Sequence, residues 1–155
     1  MKYSYTFKLD KKDMWKYYMV DRYSTMAGFA QIIFTVSVAI LMVTKWSTMS
    51  VVLQPFCALG VLIFPVLQPF VFYMKAVKTE KPDMPDTTLE FWDDEMLIRV
   101  LKHVQHIKYR DMVNLYSKPL MLIIQPDKAH IYILPDRVTG DTKKELVQFL
   151  KSKFQ

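Results

Sequence analysis

Residues 23–44 read YSTMAGFAQIIFTVSVAILMVT, and residues 46–74 read WSTMSVVLQPFCALGVLIFPVLQPFVFYM; neither stretch carries a charged side chain, and Lys45 alone separates them. A helix needs about 20 mainly apolar residues to cross a hydrocarbon layer of roughly 30 Å. Helices of soluble proteins keep a polar, usually charged face toward water. The two stretches therefore predict a transmembrane helical hairpin over residues 23–75, with spans at about 24–44 and 50–74.

Aromatic and basic residues flank both predicted spans. Trp and Tyr concentrate where a membrane meets water because each ring has an apolar body and a polar tip. Basic side chains in that zone attract anionic lipid headgroups, so we expect the bilayer to be a partner. The expected basic collar comprises Lys11, Lys12, Lys16, Arg22, Lys75, Lys78 and Lys81. The expected interface anchors are Trp15, Tyr18, Arg22, Trp46, Tyr73, Lys75 and Lys78.

Two glutamines lie at similar depth in the predicted spans. Gln31 comes eight positions after Tyr23, and Gln68 comes seven positions before Lys75. Because the two positions have similar depth in an antiparallel hairpin, we expect a hydrogen bond between Gln31 and Gln68. Such interhelical bonds average about 0.6 kcal/mol. A polar track for an ion is the alternative interpretation of the same pair.

The positive charge of the chain is unevenly distributed. The formal net charge is +6 over 155 residues, and the surplus lies before the first span and directly after the second. Only Lys45 lies between the spans. Because positively charged flanks stay in the cytoplasm, the pattern predicts two cytoplasmic termini and an outer loop around Lys45. Cys57 is the single cysteine, which excludes an intramolecular disulfide and fits a cytoplasmic domain.

The segments beside the hairpin predict local structure of their own. Residues 1–22 predict a strand followed by a juxtamembrane amphipathic helix, because residues 3–7 alternate aromatic and polar side chains. Asp10 can cap that helix, and Asp13 favours its first turn. After the hairpin, two prolines among charged residues indicate a linker over residues 76–86.

The tail, residues 87–155, predicts a small antiparallel domain. Polar turns separate two pairs of short apolar runs, 88–92 with 96–101 and 120–124 with 129–134. One more strand is predicted over residues 107–116, and the N-terminal strand can join the same sheet. Asp141 is expected to cap a final helix with an apolar face of Leu146, Phe149 and Leu150. The predicted class is therefore membrane α+β. Three or four antiparallel strands closed by a C-terminal helix describe a small α+β or partly open barrel domain.

Three short motifs in the tail carry a resemblance to a known family. They are LEF at 89–91 before the acidic turn, IKYRDM at 107–112, and IYILPDR at 131–137. With the hairpin, this layout resembles the YcxB-like family of bacterial membrane proteins. Two departures are Tyr109, where many members carry tryptophan, and Asp136, which separates Pro135 from the basic Arg137. The resemblance implies a pleckstrin-homology-like (PH-like) domain in the cytoplasm and location in the bacterial inner membrane, but no common activity.

Candidate chemical motifs in the tail have simpler explanations. His103 and His106 have a spacing that could offer two zinc ligands on a helix, but the local pattern indicates a strand end and turn. The acidic run at residues 93–95 lacks the spaced oxygen ligands of a calcium loop. Three glycines leave no phosphate-binding loop, and no nucleophile elbow occurs. We expect no enzyme activity, no cofactor, no metal and, because the tail is nearly neutral, no nucleic-acid partner.

Three hypotheses for function follow. The first is a non-enzymatic membrane protein whose cytoplasmic domain is an interaction or scaffolding module for a protein partner. The second is a self-immunity protein against a membrane-active bacteriocin or secreted toxin, an analogy from fold alone. The third is a small transporter or channel subunit built around Gln31 and Gln68. A homo-oligomer is compatible with all three.

Overall fold

The computed structural model describes residues 1–80 and 85–153. The chain divides into two compact units. The β unit comprises Met1–Asp13 and Glu80–Gln155, and the helical unit comprises Met14–Thr79. The N-terminal strand thus belongs with the tail, whereas the sequence grouped it with the juxtamembrane helix in residues 1–22. Lys81, in the predicted linker and basic collar, and the last two residues of the predicted tail domain lie outside the described residues.

The first sheet of the β unit joins the N-terminal strand to the first three strands of the tail. Its four antiparallel strands lie in chain order: β1 (Tyr3–Phe7), β2 (Thr87–Phe91), β3 (Glu95–Val100) and β4 (His103–Lys108). In the β1–β2 pair, Tyr3 lies opposite Phe91 and Phe7 lies opposite Thr87. This pairing confirms that the N-terminal strand joins the sheet of the tail. The chain leaves the sheet at Phe7 and returns to it at the paired residue, Thr87.

The second sheet and two helices complete the β unit. The antiparallel strands of this sheet are β5 (Asn114–Lys118), β6 (Met121–Gln125) and β7 (Tyr132–Pro135). The short helix α5 (Asp136–Thr139) follows, and the helix α6 (Lys143–Lys153) ends the described chain. The predicted hairpins β2–β3 and β6–β7 are confirmed. The helix α6 begins after a 3-10 turn at Gly140–Thr142, so Asp141 lies within that turn rather than directly before the helix.

The prediction of one strand over residues 107–116 is wrong. A 3-10 turn at Tyr109–Asp111 separates β4 from β5, because the chain passes here from the first sheet to the second. The described tail therefore has six strands instead of three or four. His103 and His106 lie within β4 and not in a turn. Both missed hairpins turn at leucines, Leu101 with φ 55° and Leu120 with φ 72°, a conformation for which sequence patterns expect Gly or Asn.

The core of the β unit lies between the sheets and α6. Alternate residues of the strands point inward, and Leu146, Phe149 and Leu150 of α6 are buried against them, as the sequence predicted. The fully buried strand side chains include Leu89, Phe91, Met96, Ile98, Leu122, Ile124 and Leu134. Full burial of one such side chain contributes roughly 1.5–3 kcal/mol. The N-terminal strand takes part, since Phe7 is buried in this core.

The helical unit contains two helical stretches long and apolar enough to cross a membrane, Met26–Thr48 and Leu53–Thr79. The first consists of α2 (Met26–Lys45) and a 3-10 turn at Trp46–Thr48. The second runs through α3 (Leu53–Leu62), a π-helical turn at Ile63–Leu67 and α4 (Gln68–Thr79). In each stretch only 6% of the most apolar 18-residue segment is buried, whereas the core helix of a soluble protein is mostly buried. The second stretch continues past residue 74, so the predicted linker over 76–86 begins too early.

A tight corner joins the first helix of the chain, α1 (Lys11–Tyr23), to α2. Thr25 caps α2 by accepting a hydrogen bond from the Gly28 N–H at 3.1 Å. A Cβ atom on Gly28 would lie 2.6 Å from the Tyr23 Cα atom, which is closer than carbon atoms can approach. The corner therefore requires glycine at position 28.

Candidate functional site

Three of the predicted interface residues form one aromatic and basic cluster in the helical unit. The Trp15 Nε1–H donates to the Pro69 carbonyl oxygen at 3.0 Å. The Lys75 Nζ atom lies 4.3 Å from the centre of the Tyr18 ring, a cation–π contact. The Tyr18 hydroxyl lies 3.4 Å from Thr79 Oγ1. The cluster of Trp15, Tyr18 and Lys75 therefore attaches α1 to α4 through groups that suit a membrane–water boundary.

The other predicted anchors lie apart from this cluster. Trp46 is at the turn between the two long helical stretches, where its carbonyl oxygen accepts from Gln54 Nε2 at 3.1 Å. The Arg22 carbonyl accepts from Thr25 Oγ1 at 2.7 Å, at the corner between α1 and α2. Tyr73 and Lys78 are exposed on α4. Aromatic and basic residues thus occur at both ends of the hairpin.

Tyr23 fills a gap in the hydrogen bonding of the second stretch. In the π-helical turn the Gln68 N–H donates to the Ile63 carbonyl, five positions back. The next residue is Pro69, which has no N–H to donate to Phe64 in the same register. The Tyr23 hydroxyl donates to the Phe64 carbonyl oxygen at 2.9 Å. A side chain of α1 thus satisfies a backbone group that the proline leaves without a donor.

Gln31 and Gln68 are not hydrogen-bonded to each other among the described residues. Gln68 Oε1 lies 3.4 Å from the Tyr23 hydroxyl instead. Gln31 Oε1 is buried, and within residues 1–80 and 85–153 it has no hydrogen-bond partner. It lines a crevice of about 220 Å³ with Tyr23, Thr35 and Phe64. Tyr23, which sequence reasoning did not select, is therefore a further polar link between α1 and the second stretch, beside that of Trp15 to Pro69.

A charged cluster holds the first turn of α1 in the β unit. Asp10 and Asp13 cap the helix reciprocally, because the Asp13 N–H donates to Asp10 Oδ1 at 2.7 Å and the Asp10 N–H donates to Asp13 Oδ2 at 3.3 Å. Arg137, in α5, donates from Nη2 to Asp13 Oδ2 at 2.6 Å and from the same nitrogen to the Lys8 carbonyl at 2.6 Å. The hydrogen bond to Asp13 raises the pKa of Arg137 further above its usual value. The sequence predicted the cap by Asp10 and a first-turn role for Asp13, but it did not indicate Arg137, whose partner is 124 positions away.

The turn regions of the β unit carry charges of both signs. A pocket of about 370 Å³ is bordered by the acidic Asp93 and Asp94 and the basic Lys108, Arg110 and Lys153. At its base Tyr109 is buried, and its hydroxyl donates to the Trp92 carbonyl at 2.8 Å. Burial, with the nearby acidic turn, raises the pKa of Tyr109 well above its usual range. Tyr109 therefore stays neutral and acts as a structural hydrogen-bond donor.

His103 and His106 are not placed as a pair of metal ligands. Side chains alternate along a strand, so His103 and His106 point to opposite faces of β4. His106 Nδ1 instead lies 3.3 Å from Glu95 Oε2 on the neighbouring strand. Within residues 1–80 and 85–153, no group of three or more His, Cys, Asp or Glu side chains could hold a metal ion.

Comparisons of this chain with protein-family models, with curated proteins and with solved structures find no match.

Proposed function

We propose that this chain is a bacterial inner-membrane protein in which a two-helix hairpin anchors a cytoplasmic interaction module. The hairpin spans the membrane twice, and the β unit binds a protein partner without catalysing a reaction. The resemblance of residues 89–91, 107–112 and 131–137 to the YcxB-like family supports this assignment. The exposed apolar side chains of the two long stretches also support it, because such side chains are favoured in contact with lipid.

The pairing of β1 with β2 carries the proposal. Phe7, before the hairpin, lies directly opposite Thr87, after it. One sheet contains both strands, which supports a hairpin with both of its ends on the same side of a membrane. The basic flanks support the cytoplasm as the location of both ends.

The arrangement of the β unit supports a PH-like domain. A four-stranded antiparallel sheet in chain order precedes a three-stranded one, and a C-terminal helix packs on the core between them. The helical unit is then an insertion between the first two strands. The proposed role, recognition of a partner, is an analogy at the level of the fold.

The topology can be tested with reporter fusions in bacteria. A phosphatase that is active only outside the cytoplasm and a fluorescent protein that folds only inside are each fused at the N-terminus, at the C-terminus and within residues 46–50. We expect cytoplasmic signals at both termini and an external signal at the turn. Opposite locations of the termini, or recovery of the chain in the soluble fraction without detergent, would contradict the anchor.

The role of the β unit can be tested separately. Photo-crosslinking in living cells from exposed β-unit positions should recover one defined protein, and an otherwise identical fusion of the hairpin to an unrelated domain is the control. Recovery of the same protein with the control, or substrate turnover by the purified chain, would contradict a binding module.

A further inference from the structure

Two leucines occupy unfavourable and exposed positions in hairpin turns of the β unit. Leu101, between β3 and β4, has φ 55° and is 78% exposed, and Leu120, between β5 and β6, has φ 72° and is 50% exposed. The left-handed conformation disfavours leucine, and exposure leaves each side chain little packing within the chain. Neither the backbone nor the core of the β unit therefore accounts for leucine at these positions. Residues held in disfavoured conformations indicate candidate functional sites.

The first leucine turn, residues 101–102, lies at the end of the first sheet where the chain leaves β1 and enters β2. One row of paired residues crosses the sheet at this end, and it consists of Phe7, Thr87, Val100 and His103. The chain departs toward the helical hairpin after Phe7 and returns at Thr87. Leu101 and Lys102 directly follow the row at Val100, so their turn lies at the same end of the sheet as both connections.

The second leucine turn, residues 119–120, is linked by hydrogen bonds to the same exit of the chain. The Leu120 carbonyl accepts from the Asp136 N–H at 3.0 Å. The next residue, Arg137, donates from Nη2 to the Lys8 carbonyl at 2.6 Å, and Lys8 directly follows β1. Strand pairing in one case and hydrogen bonds in the other thus link both leucine turns to the end of β1.

Each leucine turn has a lysine beside its leucine. Lys102 follows Leu101, and Lys118 comes two positions before Leu120. Among residues 1–80 and 85–153, no carboxylate lies within ion-pair distance of Lys102 or Lys118. Asp86 is exposed just before β2, so the binding must come mainly from the leucines and not from a net positive charge. An apolar side chain beside a lysine suits the boundary between lipid and water.

We propose that the two leucine turns dock the β unit onto the surface of the membrane. The leucine side chains enter the boundary between headgroups and acyl chains, and Lys102 and Lys118 contact the phosphate groups of the headgroups. The lipid surface is within reach, because residues 80–86 connect α4 to β2 and seven extended residues span at most about 25 Å. This inference rests on the proposed membrane hairpin, and it gives the β unit a lipid-binding surface beyond its proposed protein partner.

The test measures which positions of the full chain contact lipid in nanodiscs of phosphatidylcholine and phosphatidylglycerol. Cys57→Ala removes the native thiol, and one new cysteine then carries a nitroxide label in His103→Cys, Pro119→Cys or Asp94→Cys. Position 94 is the control, because the turn between β2 and β3 lies at the opposite end of the first sheet. Oxygen concentrates in lipid and a nickel chelate stays in water, so their collision rates with the label report its immersion. We expect a lipid environment at positions 103 and 119 and water at position 94, whereas one environment at all three overturns the proposal.

Two substitutions separate docking from folding. Leu101→Asn and Leu120→Asn remove the apolar side chain, and asparagine accepts positive φ, so the fold is retained. Each should lower the ratio of docked to undocked molecules by about tenfold, because one leucine side chain no longer enters lipid. Trp92→Asn is the control, since it removes partly exposed apolar surface at the opposite end of the sheet. Unchanged immersion in both leucine variants, or an equal loss in Trp92→Asn, overturns the proposal.

Lipid composition separates the contribution of the lysines from that of the leucines. The double variant Lys102→Gln and Lys118→Gln should reduce immersion only in nanodiscs that contain phosphatidylglycerol, because lysine attracts anionic headgroups. In nanodiscs of phosphatidylcholine alone, the leucines should still dock the wild-type chain. Immersion that depends wholly on the anionic lipid and not on the leucines overturns the proposal.

A label in the helical hairpin distinguishes failure of the docking from failure of the anchor. Val36 is exposed in the first apolar stretch, so Val36→Cys should report lipid. If position 36 is in lipid while positions 103 and 119 are in water, the anchor remains and only the docking fails. If position 36 is also in water, the membrane hairpin fails and the docking with it. If positions 103 and 119 are shielded from both reagents, a protein surface covers the turns and the proposal fails.

Discussion

The Arg137 Nη2 atom lies 2.6 Å from Asp13 Oδ2, although 124 positions of the chain separate the two residues. The Asp13 side chain is only 2% exposed and that of Arg137 is 46% exposed, so a buried carboxylate depends on a guanidinium that reaches water. Because Asp13 also caps α1, this ion pair fastens the first turn of that helix to α5.

Replacement of Arg137 by methionine should lower the stability of the β unit strongly. The change leaves the Asp13 carboxylate buried without its counterion, which costs about 3 kcal/mol. Arg110→Met is the matched control, since its pair with Asp111 is exposed on both sides and such pairs contribute at most about 1 kcal/mol. Urea unfolding of the β unit in detergent micelles measures both. Equal destabilisation by the two variants would exclude a special role for Arg137.

The glycine at the corner of α1 and α2 should not tolerate a methyl group. Gly28→Ala places a Cβ atom against the backbone of Arg22 and Tyr23, and overpacking of this kind costs about 1–3 kcal/mol. At Gly60 the nearest atom to an added Cβ is Phe34 Cε1 at 3.6 Å, an ordinary contact. Thermal unfolding in micelles should therefore fall for Gly28→Ala and change little for Gly60→Ala. A larger loss for Gly60→Ala would show that the corner is not the tight point.

The Tyr23 hydroxyl should contribute to stability, because Pro69 has no N–H to donate to the Phe64 carbonyl. Tyr23→Phe removes the donor to the Phe64 carbonyl and should cost about 1 kcal/mol. In a Pro69→Ala background the chain regains an N–H at position 69, so the same substitution should cost less. A double-mutant cycle of thermal stability measures the difference. Tyr73→Phe is the control, and additive effects in the cycle would contradict the link between Tyr23 and Pro69.

Replacement of Leu101 by a residue that accepts positive φ should stabilise the β unit. Leu101 has φ 55° and is 78% exposed, so its replacement removes little packing. Leu101→Asn should stabilise the β unit by about 1 kcal/mol, because the left-handed conformation disfavours ordinary side chains by that order. Leu101→Ala keeps the conformational penalty and serves as the control. A gain from Ala as large as that from Asn would indicate that loss of exposed apolar surface, not φ, is the cause.

The turn after β6 should lose the stabilisation by Asp127 only at low pH. The hydrogen bond from the His130 side chain, with those from the Ala129 and His130 amides, lowers the pKa of Asp127 below its ordinary 3.8. Because the folded-state pKa is depressed, the stabilisation is complete above pH 3.8 and disappears as pH falls through the lowered folded value. NMR titration of the Asp127 carboxyl should show its pKa rising in His130→Ala and unchanged in His103→Ala. An unshifted Asp127 pKa in His130→Ala would contradict the assignment.

Local patterns were sufficient where the physical requirement is local. Long uncharged runs predicted both apolar helical stretches, alternation predicted β1 and four strands of the tail, and Asp10 and Asp13 predicted the start of α1. The hairpins β3–β4 and β5–β6 escaped prediction because Leu101 and Leu120 occupy turn positions that usually take Gly or Asn. The surrounding strands impose that conformation, and the turn residues themselves do not encode it.

The amino-acid sequence by itself determined that two apolar helical stretches interrupt a chain with a strand-rich tail, because charge and periodicity are properties of neighbouring residues. Tertiary structure decided that β1 pairs with β2 across the whole insertion, that Arg137 reaches Asp13, and that β4 is left as an open edge. Each of these depends on which distant groups meet. Burial of a shared core and satisfaction of buried charges and backbone donors determine which distant groups meet, and no local sequence pattern predicts these contacts.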